Sequence, residues 1–302
     1  MEILDPIPTE ERKVNHLSEF FIFIGIAMVS IFVFAIIGGL ICSNLYGVSL
    51  EEISAISTLQ MEHPQASKIL KISQTFSLFG MIAGALTFLL TTRKHIFSYL
   101  SLKKEMHLLY VILSILLVIT LLPLVSYVVN INSGIAESLG YSSKNLMGVY
   151  ELLASSNSTI GFIFSIFLMS VLPAVAEEFL FRGVLQTLLK KWSKSSHLAI
   201  IITSLIFAVI HSNPEQILGI LLLGLILGYL FELTGNLIYP IILHASNNLL
   251  SVIGMKYAEG NKVFEALAND YSPNLFVVLI SVLFTSSIFV FLYKTSLKKE
   301  HE

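Results

Sequence analysis

Charge is what this chain has least of. Only 13% of its 302 residues are charged, while 55% are hydrophobic. Soluble domains carry about 25% charged residues, so an ordinary water-soluble globule is excluded. Cysteine is almost missing as well. The single Cys42 excludes an intramolecular disulfide and any cysteine-based metal cluster. No basic block interrupts the apolar runs, and a net charge of −2 offers nothing to nucleic acid. A secretory leader is also not expected. The tail before the first apolar run is acidic (Glu2, Asp5, Glu10, Glu11), that run outlasts a signal-peptide core, and Cys42 follows Ile41 rather than a small residue. The first run therefore reads as a retained membrane span. Internal repeats and low-complexity linkers are lacking too.

What the chain does have is apolar length. A bilayer-spanning helix needs roughly 20 predominantly apolar residues, and the stretch from Phe20 to Cys42 supplies them without one charge. The apolar runs and their breaks predict eight spans, over 19–42, 72–92, 107–129, 160–189, 197–212, 216–232, 236–254 and 274–293. Lipid offers no partner for a backbone N–H or C=O, so these spans must be helices. The expected fold is all-α, a polytopic transmembrane helical bundle. Short fifth and sixth spans suit helices buried among others.

Lysine and arginine are unevenly shared between the two sides of that bundle. Arg12, Lys13, Arg93, Lys94, Lys103, Lys104, Lys190, Lys191, Lys194, Lys294, Lys298 and Lys299 fall on the side of the termini, while Lys68, Lys71, Lys144, Lys256 and Lys262 fall on the other. The positive-inside rule then places both termini in the cytoplasm. The two longest connections, 43–71 and 130–159, lie outside and look partly amphipathic. In the second, Leu146, Val149, Tyr150 and Leu153 recur at helical spacing, as in a surface helix. Gly80 with Gly84, and Gly224 with Gly228, are spaced for close helix–helix packing.

Against this apolar background the stretch PAVAEEFLFRGVL, Pro173 to Leu185, is anomalous. A charge at the centre of a spanning helix costs about 2.5–3.5 kcal/mol on insertion scales, and this helix carries three. Glu178 and Arg182 are four apart and share a face, so they can form an ion pair, which alone would be a structural feature. Glu177 lies about 100° around the helix from Glu178. It has no partner in its own segment and must face another polar group or a wet cavity.

Two other spans supply such groups. FAVIHSN puts Phe207 and His211 four apart at the end of the fifth span, and HASNN puts His244 and Asn248 four apart on one face of the seventh. Either histidine alone would read as a hydrogen bond to a neighbouring helix. Pro173 and Pro240 each precede a polar residue by four, and kinks there would open a pocket. One unpaired glutamate, two histidines and one asparagine on three spans make a joint pattern.

These motifs, AEEFLFRG, FAVIH and HASNN, resemble EExxxR, FxxxH and HxxxN of the CPBP family, the CAAX prenyl protease and bacteriocin-processing proteins that include type II CAAX prenyl endopeptidases. The resemblance covers Glu177 to Asn248. It implies an intramembrane glutamic endopeptidase without a cofactor. Glu177 would be the general base on a water shared with His211, His244 and Asn248 would hold the oxyanion, and Glu178 and Arg182 would support them from behind. The implied partners are a peptide or protein substrate and the lipid bilayer of a bacterial cell, with no nucleic acid. Three regions are then expected: 1–159 with three spans and amphipathic outer loops, a catalytic four-helix core over 160–254, and a last span with its tail over 255–302. One alternative is a zinc protease with Glu177, His211 and His244 as ligands, although no H-E-x-x-H pattern is present. The other is a proton-coupled transporter or immunity-type scaffold, although no paired halves are visible.

Overall fold

The computed structural model describes residues 16–102, 105–141, 144–156, 158–257 and 272–300, and among these no strand forms. The acidic tail and Arg12, Lys13, Lys103, Lys104 and Lys262 lie outside the described residues. The apolar runs become α1 (His16–Tyr46), α3 (Ala66–Thr91), α5 (Leu108–Ser138), α7 (Thr159–Ser193), α8 (Ser196–Ile210), α9 (Ile217–Thr234), α10 (Ile238–Tyr257) and α11 (Leu275–Glu300). All but α8 are long and apolar enough to cross a membrane, and α8 is the short fifth span. The protein is thus an all-α polytopic bundle. Shorter helices α2 (Leu50–Ser57), α4 (Ile96–Tyr99) and α6 (Lys144–Ala154) occupy the connections. Among them α2 starts on a capping box, with Ser49 Oγ accepting from Glu52 N at 3.1 Å and Glu52 Oε2 accepting from Ser49 N at 2.7 Å.

Contacts between helix ends fix the alternation. At one end Lys94, just past α3, pairs with Glu19 at the start of α1. There too Lys190, near the end of α7, and Ser196, at the start of α8, both reach Glu232 near the end of α9. The backbone N–H of His107, ahead of α5, donates to Tyr239 Oη at the start of α10 at 2.8 Å. The opposite end joins the start of α3 to α6, where Ser67 Oγ donates to the Leu152 carbonyl at 2.7 Å. Spans therefore run up and down in turn, with Lys94, Lys190, Lys191 and Lys194 gathered at one end.

The four small residues pack as their spacing implies. A Cβ on Gly80 would lie 2.7 Å from Ile31 Cα, and one on Gly84 would lie 2.9 Å from Ala27 Cα, so α1 and α3 touch backbone to backbone. Gly224 similarly faces Ser204, and Gly228 faces Ile200.

Two features depart from the sequence reading. Helix α5 runs on to Ser138, nine residues past the expected end, because Asn132 is buried against the loop after α8 and Ser133 Oγ bonds the Asn130 carbonyl at 3.2 Å. Pro240 sits in the first turn of α10, where its missing N–H is one of the helix's unpaired donors anyway. It starts the helix and does not kink it.

Candidate active site

Helix α7 is not uniformly α. Its Phe167–Val171 and Phe179–Gln186 turns are π-helical, and Leu172–Glu178 between them is α-helical with Pro173 in its first turn. A π turn closes on the fifth residue, and such turns recur at functional sites. The first one is tied to the site by Ser170, whose Oγ donates to the Ala245 carbonyl at 2.7 Å, beside His244.

Glu178 and Arg182 meet as their spacing implies. The guanidinium donates from Nη1 to Glu178 Oε1 at 2.7 Å, and both side chains are fully buried. Two further contacts hold the arginine. Its Nη2 donates to the Gly224 carbonyl at 3.1 Å, and its Cζ lies 4.5 Å from the Phe207 ring centroid. One turn on, Gln186 Nε2 donates to the Gly228 carbonyl at 3.2 Å. The glycines of α9 thus do more than permit close approach: without Cβ atoms they leave their carbonyls open to α7.

The same Glu178 oxygen also accepts from His244 Nδ1 at 2.9 Å. Sequence spacing could not reveal this bond, because it joins residues 66 positions apart. It fixes the ring. With Nδ1 committed to a carboxylate, His244 Nε2 is the nitrogen that faces Glu177, at 3.7 Å from Oε2.

His211 arrives from the other side. It caps α8, its Nδ1 donates to the Phe207 carbonyl at 2.6 Å, and its Nε2 points to the same Glu177 Oε2 at 3.8 Å. A carbonyl can only accept, so Nδ1 carries the proton and a neutral His211 presents a lone pair at Nε2. Phe207 is the common wall, its centroid 4.5 Å from the His211 ring and 5.9 Å from that of His244.

Glu177 Oε2 is buried and accepts no hydrogen bond from a described residue. Distances of 3.7 and 3.8 Å are too long for direct hydrogen bonds and suit an interposed water. Asn248 follows His244 by one turn of α10, and its Oδ1 lies 3.5 Å from Asn247 Nδ2. Glu177, His211 and His244 are therefore brought together, and Asn248 lines the same helix beyond them. Among the described residues no group of three or more His, Cys, Asp or Glu side chains is arranged to hold a metal ion.

Helix lengths explain how these side chains meet at one level. With 15 residues, α8 rises only ~22 Å, less than a hydrocarbon core of ~30 Å, so His211 ends inside the bundle. Helix α10 also begins inside, because Asn236 and Leu237 in the turn before it are buried. Gly235 enters that turn at φ +59°, donating from its N–H to the Phe231 carbonyl at 2.8 Å. Such a left-handed cap suits a residue without Cβ.

Two residues outside the motifs support the surroundings of the site. Asn132 of α5 donates from Nδ2 to the Pro214 carbonyl at 2.7 Å and accepts from Leu218 N at 2.7 Å, so it clamps the loop that follows His211. Tyr150 of α6 is half-buried against a cluster containing Leu172 and Ala176. Burial, and then the charge of Glu177, push its phenol upward, so it stays a protonated donor near neutral pH. The amphipathic repeat placed Tyr150 on a helix face but gave no sign of what that face covers.

Residues 159–250, which hold all these motif positions, match the family model for the type II CAAX prenyl endopeptidase, Rce1-like. Among curated proteins, the uncharacterized protein YpbD of Bacillus subtilis (strain 168) is 39% identical over 101 residues, which cover 32% of this chain and 47% of YpbD. The chain therefore spans about half the length of that relative. No solved structure matches it.

Proposed function

Since residues 159–250 form an Rce1-like domain, we propose that the protein is an intramembrane endopeptidase in which Glu177 activates the water that attacks a peptide bond. The observation that supports this is one buried carboxylate oxygen without a hydrogen-bond partner among the described residues, 3.7 and 3.8 Å from two imidazole Nε2 atoms. A water between them donates one hydrogen to Glu177 and one to the lone pair of His211, leaving its own lone pair free for the carbonyl carbon. As the C–O bond forms, the proton passes to Glu177 and later to the leaving amine. His244, held through Nδ1 by Glu178, donates from Nε2 in its imidazolium form. Together with the Asn248 amide it stabilises the oxyanion. Arg182 compensates the charge of Glu178 and so positions His244 indirectly.

The lysine-rich end and both termini are assigned to the cytoplasm by the charge asymmetry, and the substrate is a peptide reaching the site from the bilayer or that side. The test is cleavage of a peptide library, read by mass spectrometry, with the purified protein in liposomes. Glu177→Gln keeps size and hydrogen bonding but cannot take a proton, so the rate should fall by ~10²–10⁴. Asn248→Ala should lose about 10²–10³, mostly in kcat. A Glu177→Gln enzyme as fast as the wild type would end the proposal.

A further inference from the structure

The lysine-rich end carries a site that the peptidase chemistry does not use. Two adjoining cavities, about 480 and 460 Å³, share Tyr99, Thr187 and Lys191 in their walls. Lys94 and His95 line the first, and Lys190 and Lys194 the second. Carboxylates answer only two of these cations: Lys94 pairs with Glu19, and Lys190 with Glu232 at 2.6 Å. Among the described residues no carboxylate lies within ion-pair distance of Lys191 or Lys194.

The placement of the charges is unusual as well as their number. The ammonium groups of Lys94 and Lys191 stand over one ring, that of Tyr99, at 5.3 and 4.4 Å from its centroid. Two cations drawn to one ring repel each other, and an anion bound beside them relieves that repulsion. Tyr99 also brings a polar group, since its hydroxyl is buried and has no hydrogen-bond partner among the described residues. Burial, and then the charge of Glu19, hold the phenol above its ordinary range, so the hydroxyl remains a donor.

The surroundings indicate the source of the anion. Phe97 and Trp192, next in sequence to the lining residues Ser98 and Lys191, are 57% and 46% exposed. Tryptophan exposed at the end of a membrane span marks the level of lipid headgroups, and Trp192 stands in the last turn of α7. A phosphate held by Lys191, Lys194 and Tyr99 would have its acyl chains against these rings.

We propose that the joined cavities bind a phosphate ester, the headgroup of an anionic phospholipid in the leaflet that meets the lysine-rich end. The site is independent of the peptidase chemistry and stands or falls separately from it.

Native mass spectrometry of the detergent-purified full chain tests this, with phosphatidylglycerol, phosphatidylcholine and inorganic phosphate as probes. Phosphatidylglycerol should be retained at least tenfold better than phosphatidylcholine. A lysine near an anionic surface is worth about fivefold, so Lys191→Gln should weaken retention roughly fivefold. Lys191→Gln/Lys194→Gln should weaken it about 25-fold, while Lys256→Gln at the other end leaves it unchanged. A photoreactive phosphatidylglycerol on the wild-type protein should label peptides containing residues 94–99 or 187–194, which covers the case of variants that fold poorly. Equal retention of the two lipids, wild-type retention by the double variant, or labelling confined to other segments would overturn the proposal. Phosphate binding as tight as phosphatidylglycerol would overturn the assignment to a lipid.

Discussion

Replacing Arg182 with methionine keeps most of the side-chain volume and removes the charge. Three contacts go with it: the 2.7 Å bond to Glu178, the 3.1 Å bond to the Gly224 carbonyl, and the stacking on Phe207. The fully buried Glu178 carboxylate then keeps only His244 Nδ1, at 2.9 Å. Breaking a buried pair by removing one partner costs about 3–5 kcal/mol. His244 Nδ1 still donates to the same oxygen, so the lower part of that range is expected. Glu178→Gln in addition removes the stranded charge while leaving an oxygen to accept from His244. The double variant should recover at least half of the lost stability. Unfolding of the purified protein in mixed micelles, followed by circular dichroism, reads both numbers. Cleavage should not recover in parallel, because a neutral amide in place of the Glu178 carboxylate accepts more weakly from His244 Nδ1 and no longer fixes the ring as the proposed mechanism requires. If the double variant is no more stable than Arg182→Met, the charge pair is not what holds these helices together. If activity returns along with stability, the positioning role of Glu178 is wrong.

Further outcomes follow from the same geometry. Metal analysis of the active protein should find no stoichiometric zinc, and chelation followed by dialysis should leave cleavage intact; one zinc per chain, with activity lost and restored by metal, would replace the glutamate mechanism. Asn132→Leu removes both 2.7 Å bonds to the loop after His211 and should lower kcat at least tenfold with little change in KM, whereas a wild-type kcat would show that His211 is held by α8 alone. In a Cys42→Ser background, single cysteines at Glu151 and Lys194 should react with impermeant reagents from opposite sides of the membrane, and labelling from one side would break the up-and-down alternation.

The spans could be read from sequence because apolar length in lipid has one structural solution. The Glu178–Arg182 pair was legible for a similar reason, since four residues on a helix bring two side chains to one face. Glu177 could be recognised as lacking a partner, but its partners could be named only as polar residues on other spans. The bond from His244 to Glu178 was out of reach, as was the clamp by Asn132. Each depends on the relative height of two helices, which residue counting does not fix. The buried turn before α10 and the shortness of α8 close that gap. The π turns were hidden too, because a search at 3.6 residues per turn cannot register a segment that closes on the fifth residue. Their effect is concrete: Arg182 and Gln186, four apart in such a segment, both address α9 and meet the carbonyls of Gly224 and Gly228.

The adjacency of the two glutamates follows from the shape of imidazole. Its two nitrogens lie on different edges of the ring, and here different carboxylates face them, Glu178 at 2.9 Å from Nδ1 and Glu177 at 3.7 Å from Nε2. Glutamates four apart would share a face of α7 and compete for one edge. Neighbours about 100° apart can pass on either side of a ring presented by α10. The inner carboxylate is then neutralised by Arg182 and committed to orientation, while the outer one stays free of hydrogen bonds from described residues. Exchanging the roles would require moving Arg182 by one position, which would take it off the line to the Gly224 carbonyl. The order Glu177, Glu178, Arg182 thus places an uncommitted carboxylate beside a histidine that is already held.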